Sequence, residues 1–241
     1  MQVTPEYRSL RLQVRLLSLY ALLLTALGIW LALRESVHVK SLTAETVDIV
    51  EPDGTIKLAL FNKEHLPPAV VNGVKLPRSG GGESGLMFYN EEGTECGGLT
   101  YSGKAAQTGM SLTFDKYNQD QELQLDREQD TLDGQPVSSN LVNIFDRPTE
   151  SIDKTFLRLD SIQKHVPDRN AQHQAIQALV DAGVFGRNRL QLGRKYSKEV
   201  GLFLHDDQRR PRMDVFLDKD NQPHIRCYDE QGKLTAEWPK L

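Results

Sequence analysis

The chain has 241 residues, of which 39% are hydrophobic and 26% are charged. This length provides one domain of about 200 residues or two small lobes, with enough apolar residues to form a core. Four of the 29 basic and one of the 33 acidic residues precede position 35, so residues 35–241 carry 25 basic and 32 acidic groups, a net charge of −7. Such an acidic chain is a poor surface for nucleic acid, and no nucleic-acid partner is expected.

Residues 16–33 form an uncharged apolar stretch, LLSLYALLLTALGIWLAL. A helix of this length extends about 27 Å, close to the hydrocarbon core of a bilayer. Apolar residues surround all its faces, and Tyr20 and Trp30 lie towards the two ends, where interfacial aromatic residues belong. The pattern predicts a transmembrane segment that contacts the lipid bilayer through residues 16–33, rather than a buried helix.

The charges around this segment predict its orientation. Three arginines precede it, whereas the arginine that follows it is next to a glutamate. The positive-inside rule therefore makes residues 1–15 a cytoplasmic tail, 34–45 a juxtamembrane segment and 46–241 an extracytoplasmic domain. A cleaved signal peptide remains the alternative, although the apolar core is longer than such peptides usually have. None of the nine asparagines begins a glycosylation sequon, which fits a bacterial inner-membrane protein with a periplasmic domain.

Turn signals divide the exported part into strands. A Pro-Asp-Gly turn at 51–54 predicts a first hairpin, and residues 85–104 predict a second one with an acidic turn. Residues 63–84 contain three prolines and a run of three glycines, which predicts a surface loop. Acidic turns recur every eleven or twelve residues within 201–238 and predict an antiparallel meander.

One segment, near 168–182, has the pattern of an amphipathic helix. Asp168 is a candidate N-cap and a glycine follows the segment. The fold class is therefore mainly β, with one N-terminal transmembrane helix, antiparallel hairpins, a C-terminal β-meander and this one helix. The helix is expected to pack across the sheet or to join two lobes, 46–160 and 186–241.

Sequence patterns for nucleotide and metal sites lack the structural context that they require. The G-x-G-x-x-G match at 80–85 precedes a predicted strand instead of a helix, and the G-x-x-x-x-G-K match at 98–104 is followed by Ala105 instead of a hydroxyl. A calcium-loop pattern at 218–229 has Pro223 where that loop needs glycine. We predict no metal ion, no cofactor and no catalytic motif.

The densest polar stretch, residues 113–130, offers a candidate binding edge. Its carboxylates, amides and tyrosine present mixed donors and acceptors to a polar partner such as a glycan or a peptide. The predicted binding residues are Glu95, Asp115, Tyr117, Asn118, Asp120 and Gln121. The alternative is an exposed strand and turn, and Glu95 is expected to lie on an exposed turn of the neighbouring hairpin.

Cys96 and Cys227 are the only cysteines, so at most one disulfide can form and a disulfide framework is excluded. Cys227 shares a predicted strand face with Ile225, which favours a small buried side chain over a disulfide. Whether the two cysteines pair stays open.

Two segments look specific to a family: Gly-Leu-x-Phe-x-Asn at 85–90 and Glu-Cys-Gly-Gly-Leu at 95–99. Together with the apolar segment and the acidic turns, they resemble a group of bacterial proteins with an N-terminal membrane anchor and a β-rich region, to which no activity is assigned. The resemblance spans most of residues 40–235. It implies a bacterial setting and supplies no ligand or catalytic residue.

These patterns lead to one functional hypothesis and two alternatives. The leading hypothesis is a membrane-anchored envelope protein whose β-domain binds or organises an envelope protein or glycan without catalysis, with homo-oligomerisation left open. The alternatives are an envelope hydrolase that uses carboxylates assembled in the fold, and a small-ligand sensor.

Overall fold

The computed structural model describes residues 5–32, 39–76, 78, 82–105 and 107–239, and side chains of the first helix from residue 9 to residue 31. Several predicted features lie partly outside the described residues. They are residues 1–4 of the tail, Leu33 of the transmembrane segment, residues 34–38 of the juxtamembrane segment, residues 77 and 79–81 of the loop, and residues 106 and 240–241 of the exported domain.

Helix α1 (Pro5–Ala32) forms most of the first of two units, Met1–Ala44. It contains the apolar segment Ser9–Leu31, 23 residues with a mean hydropathy of 1.9. A helix of this length extends about 35 Å. It is therefore long and apolar enough to span a membrane, a criterion that a signal sequence near an N-terminus also meets.

The second unit, Glu45–Leu241, is built on a twelve-stranded antiparallel sheet. The strands are, in spatial order, β1 (Thr46–Val50), β2 (Ile56–Phe61), β5 (Ser84–Tyr89), β6 (Glu95–Lys104), β7 (Gln107–Asp115), β8 (Gln121–Leu132), β9 (Gln135–Asp146), β10 (Arg187–Arg194), β11 (Val200–His205), β12 (Pro211–Leu217), β13 (Pro223–Tyr228) and β14 (Leu234–Trp238). The predicted mainly β fold with antiparallel hairpins and a C-terminal meander is confirmed.

Two insertions interrupt the meander. A separate hairpin of β3 (Ala69–Val71) and β4 (Val74–Leu76) lies between β2 and β5 in the chain, and helices α2 (Ile152–His165) and α3 (Arg169–Asp181) connect β9 to β10. Since β9 and β10 pair directly, the segments proposed as two lobes contribute strands to one sheet.

The predicted helix near 168–182 is α3. The Asp168 side chain accepts a hydrogen bond from the backbone N–H of Ala171 (2.8 Å), as expected of an N-cap. Helix α2 was not predicted. The loop prediction for 63–84 was wrong at β3 and β4, whose turn consists of Asn72 and Gly73, both with positive φ. An Asn-Gly pair between valines favours such a hairpin, and this signal was outweighed by the neighbouring prolines.

The acidic turns have a shared geometry that explains their recurrence. In four of them the side chain of the first turn residue accepts hydrogen bonds of 2.8–2.9 Å from the backbone N–H groups two and four residues later. The first residues of these turns are Asn90, Asp206, Asp218 and Asp229. The short Asn or Asp side chain thus stabilises the turn, which gives these residues a folding role.

The core lies on one face of the sheet, which we call the buried face. Ala59, Phe61, Met87 and Tyr89 form a cluster there, against which Leu66 and Val70 of the β2–β5 connection pack. A second buried group lies near the C-terminus, where Phe203 and Phe216 are in ring contact and His224 stacks on Phe216 with the ring centroids 5.0 Å apart. The buried face therefore holds two apolar groups at opposite ends of the sheet.

Candidate functional site

A cavity of about 260 Å³ lies on the buried face, between the β3–β4 hairpin, helix α2 and the ends of strands β6 to β8. One wall is apolar and includes Val71, Leu76 and Phe156. The other wall carries acidic side chains and an arginine, Arg78. The cavity is thus amphipathic, and it is smaller than the roughly 300–1,000 Å³ that is usual for small-molecule sites.

Four of the six predicted binding residues line this cavity: Glu95, Asp115, Asp120 and Gln121. Two β-bulges contribute to this arrangement. One places Glu95 opposite Tyr89, and the other places Gln121 opposite Asp115. Because a bulge inserts one residue, it turns the next side chain to the other face of its strand. Glu95 and Gln121 therefore join Asp115 on the buried face.

The other two predicted residues lie away from the cavity wall. The Tyr117 side chain is 62% exposed, and its hydroxyl donates to Glu92 Oε2 (2.7 Å). Asn118 has a positive φ of 55°, and its backbone oxygen accepts a hydrogen bond from Ile152 N (2.9 Å) at the start of α2. Tyr117 is thus a surface residue and Asn118 shapes the turn that meets α2.

Glu95 is not on an exposed turn, and that expectation was wrong. Its side chain is 13% exposed and forms a forked ion pair with Arg78, whose Nη2 lies 2.5 Å from Oε2 and whose Nη1 lies 3.3 Å from Oε1. Arg78 Nε also donates to the backbone oxygen of Pro67 (2.7 Å). Burial raises the pKa of Glu95, and the positive charge of Arg78 opposes this rise.

Arg147 holds the opposite side of the acidic wall. Its side chain is 6% exposed, its Nε donates to the backbone oxygen of Gln121 (2.6 Å), and its Nη1 lies 3.4 Å from Asp120 Oδ2. Nη1 also donates to the backbone oxygen of Phe185 (2.6 Å), which ties β8 to the segment that leads into β10. Arg78 and Arg147 carry no local signal of these contacts, because both are distant in sequence from the carboxylates that they contact.

Asp115 lacks such a partner. Its Oδ1 is buried and has no hydrogen-bond partner among the described residues. Burial, with the nearby charges of Glu95 and Asp120, raises the pKa of Asp115 to about 7. At neutral pH this carboxyl group is therefore protonated in a substantial fraction of molecules. No group of three or more metal-ligating side chains is found in the described part of the chain.

The two cysteines are free: Cys96 is exposed and Cys227 is partly buried. Partial burial, with the nearby charge of Asp115 next in importance, raises the pKa of the Cys96 thiol. A raised pKa leaves less thiolate, which is the reactive form. Neither the cysteines nor the cavity contains an assembled nucleophile and base.

The opposite face of the sheet carries two rows of side chains that run in register across all twelve strands. The first row consists of Val47, Leu60, Leu86, Leu99, Leu112, Leu125, Val142, Leu192, Leu202, Val215, Ile225 and Trp238. The second row consists of Ile49, Leu58, Phe88, Gly97, Phe114, Leu123, Ile144, Leu190, Leu204, Met213, Cys227 and Ala236. We call this surface the aliphatic face, since neither row contains a charged residue.

The aliphatic face is open to solvent. Apart from Gly97, none of the residues in the two rows is buried, and exposed fractions reach 49% for Phe114 and Leu192 and 60% for Trp238. The side chains of the twelve strands that are buried all lie on the other face. The face with the more continuous apolar surface is thus the one that the described residues leave uncovered.

Its dimensions can be obtained from standard sheet geometry. Eleven intervals of about 4.8 Å separate the outer strands, so the rows are about 53 Å long. Two rows of side chains are about 14 Å wide, which gives an area of about 700 Å². The largest apolar patch on a typical monomer is about 300–600 Å², and larger ones mark interaction sites.

Comparison with protein-family models and with curated proteins finds no match to this chain. The resemblance to anchored, β-rich bacterial proteins therefore stays a prediction. The cavity and the aliphatic face are the two features of the described residues that bear on function.

Proposed function

We propose that this chain is a single-pass protein of the bacterial inner membrane, with its N-terminus in the cytoplasm and a periplasmic β-rich domain that binds other envelope components without catalysis. The observation that carries this proposal is the aliphatic face, an uncharged apolar surface across twelve strands that the other described residues of the second unit leave open to solvent. Binding such a surface removes apolar area from water, which is the main favourable term in protein association.

Catalysis is less well supported by the cavity. Arg78 pairs with Glu95, and Arg147 lies next to Asp120, so two of the four carboxylates that line the cavity already have a positive partner. Glu83 and Asp115 remain, so the pair of carboxyl groups that a glycosidase-type mechanism needs would have to consist of these two. The arginines instead fix the cavity wall to β9 and to the β4–β5 connection.

The membrane topology can be tested with reporters fused after Leu241. We expect alkaline phosphatase, which is active only in the periplasm, to be active. We expect green fluorescent protein, which does not become fluorescent when it is exported as an unfolded chain, to be dark. The arginines before the apolar segment are the reason for this expectation. The reverse result would contradict the proposed location of the domain.

The binding role can be tested in living cells with a photo-reactive amino acid. At Leu125, 41% exposed on the aliphatic face, we expect covalent adducts on illumination. At Glu128, which is exposed and lies on the other face of the same strand, in register with Gly109 and Ser139, we expect none. Equal yields at both positions, or no adduct at Leu125, would contradict the proposal that the aliphatic face is the binding surface.

A further inference from the structure

We infer that the aliphatic face is covered by a second copy of this chain, so that two sheets pack face to face as a two-fold symmetric sandwich. This inference rests on the proposed binding role of the face and names its partner. Three properties of the described sheet support it: the area of the face, its lack of charge, and the twist of the sheet.

The area of the face agrees with that of a stable dimer. Its extent of about 700 Å² is close to the ~800 Å² that each partner contributes to a standard protein interface. A second sheet of the same length covers the rows from end to end at the usual separation of about 10 Å between packed sheets. A small ligand would cover only a few strands of the twelve.

The composition of the face fits a self-complementary contact. In a two-fold dimer the same patch meets itself, so any charge near the symmetry axis faces a like charge. The two rows contain no charged residue, which removes this repulsion. The next row along the strands is polar in its centre, where Arg127, Asn140 and Arg194 are in register, and apolar on both sides of these three, at Met110 and Val200. The rim of an interface is usually polar, and these three residues are the polar part of the rim of this face.

The twist of the sheet restricts the symmetry axis. Neighbouring strands rotate by about 20–25°, so a sheet of twelve strands is strongly twisted along its length. Two copies of a twisted sheet stay in contact along their whole length only if they twist about a common axis, which runs along the sheet between them. A two-fold rotation about that axis places each strand over its own counterpart, in the opposite direction. Residues of the first row then lie near the same residues of the partner.

This geometry can be tested with single cysteines in the full chain, in native membranes. The background variant carries Cys96→Ser and Cys227→Ala. With a short bis-maleimide reagent, we expect Leu125→Cys to give a product of twice the chain mass in most of the protein. Glu128→Cys is the matched control, because Glu128 is exposed on the same strand and on the opposite face, and we expect no such product. A dimer that forms only through helix α1 would give equal yields for both variants and would overturn the inference.

A second measurement separates self-association from binding in general. By native mass spectrometry of the full chain released from nanodiscs, we expect two copies for the wild type and for Glu128→Lys, and one copy for Leu125→Asp. A single wild-type copy that carries lipid on the face, or a Leu125 photo-adduct with a different protein, would overturn the second copy as the partner and leave the binding role intact. Absence of any partner at Leu125 would contradict the inference and the proposed function together.

Discussion

Replacing Asp115 with asparagine should stabilise the protein, and the gain should depend on pH. Burial and the charges of Glu95 and Asp120 raise the pKa of Asp115 from 3.8 to about 7. The folded state therefore binds more protons than the unfolded state between about pH 4 and pH 7, and the stability of the wild type falls as pH rises through this range. Above pH 7 the loss is complete, because Asp115 is then ionised in both states.

The magnitude follows from the pKa. Each pKa unit corresponds to about 1.4 kcal/mol, so the shift from 3.8 to about 7 makes ionisation of Asp115 cost about 4 kcal/mol of folding free energy at pH 8. An asparagine keeps the shape of the neutral carboxyl and cannot ionise. For a domain of about 200 residues this gain raises the melting temperature by about 8–16 °C at pH 8, and by almost nothing at pH 4.

The assay is thermal unfolding of the full chain in detergent, followed by circular dichroism at pH 4, 6 and 8. Asp133→Asn is the matched control, because Asp133 is exposed at the β8–β9 turn and the chemical change is the same. We expect its melting temperature to follow that of the wild type within about 2 °C at each pH, since exposed substitutions change stability by less than ~0.5 kcal/mol. If Asp115→Asn gave no gain in melting temperature at pH 8, or the same gain at pH 4, the raised pKa of Asp115 in the folded state would be refuted.

Four further outcomes are expected from unfolding measurements. Gly193→Val should lower stability by about 2 kcal/mol or more, because Gly193 has a φ of +135° and a side chain there would meet the backbone of β9. The control Gly109→Val places its side chain in open space and should cost less than ~1 kcal/mol. Asp229→Ala should cost about 1–2 kcal/mol, because it removes two hydrogen bonds from turn N–H groups. Glu95→Gln should cost about 1–3 kcal/mol by breaking the half-buried pair with Arg78, and a cost below ~0.5 kcal/mol would indicate that the pair contributes nothing. Addition of calcium or of a chelator should leave the melting temperature unchanged, and a rise of several degrees on adding calcium would indicate a metal site.

Local patterns were sufficient to predict the first two hairpins of the sheet and the C-terminal meander, whereas β9 and β10 were not predicted and β7 and β8 were considered only as an exposed strand and turn. The period of two residues and the regular Asp-containing turns are both local signals, and the turns make their stabilising hydrogen bonds within five residues. Two of the missed elements, the β3–β4 hairpin and helix α2, also had local signals that other residues obscured. Asn72 and Gly73 indicate a tight hairpin, and Ile152, Phe156 and Leu159 recur at helical spacing in α2. Three prolines near the hairpin and the short polar segment around α2 outweighed these signals.

The candidate site could be predicted only in part, because its geometry depends on long-range register. Asp115, Asp120 and Gln121 lie on two paired strands and their connecting turn, so they stay together in space. Glu95 joins them through a bulge, and a one-residue change of this kind reverses the face on which a side chain lies. Arg78 and Arg147 reach the carboxylates from other elements, and no spacing in the sequence indicates these contacts.

The aliphatic face shows a further limit of the sequence pattern. Alternation determines which residues share a face, but both faces of a sheet alternate, and the usual assumption is that the more apolar face is the one that packs on the core. In this protein Phe203 and Phe216 are buried together with His224 on the buried face, while the two uncharged rows of the aliphatic face remain open to solvent. A globular domain usually has two packed layers, and a sheet with one uncovered apolar side has the composition of one layer of a sandwich. The described residues of the second unit do not provide this second layer, and this is the side of the sheet for which we propose a partner. Charge substitutions in the centre of the first row, such as Leu125→Asp, therefore test whether the aliphatic face is needed for association.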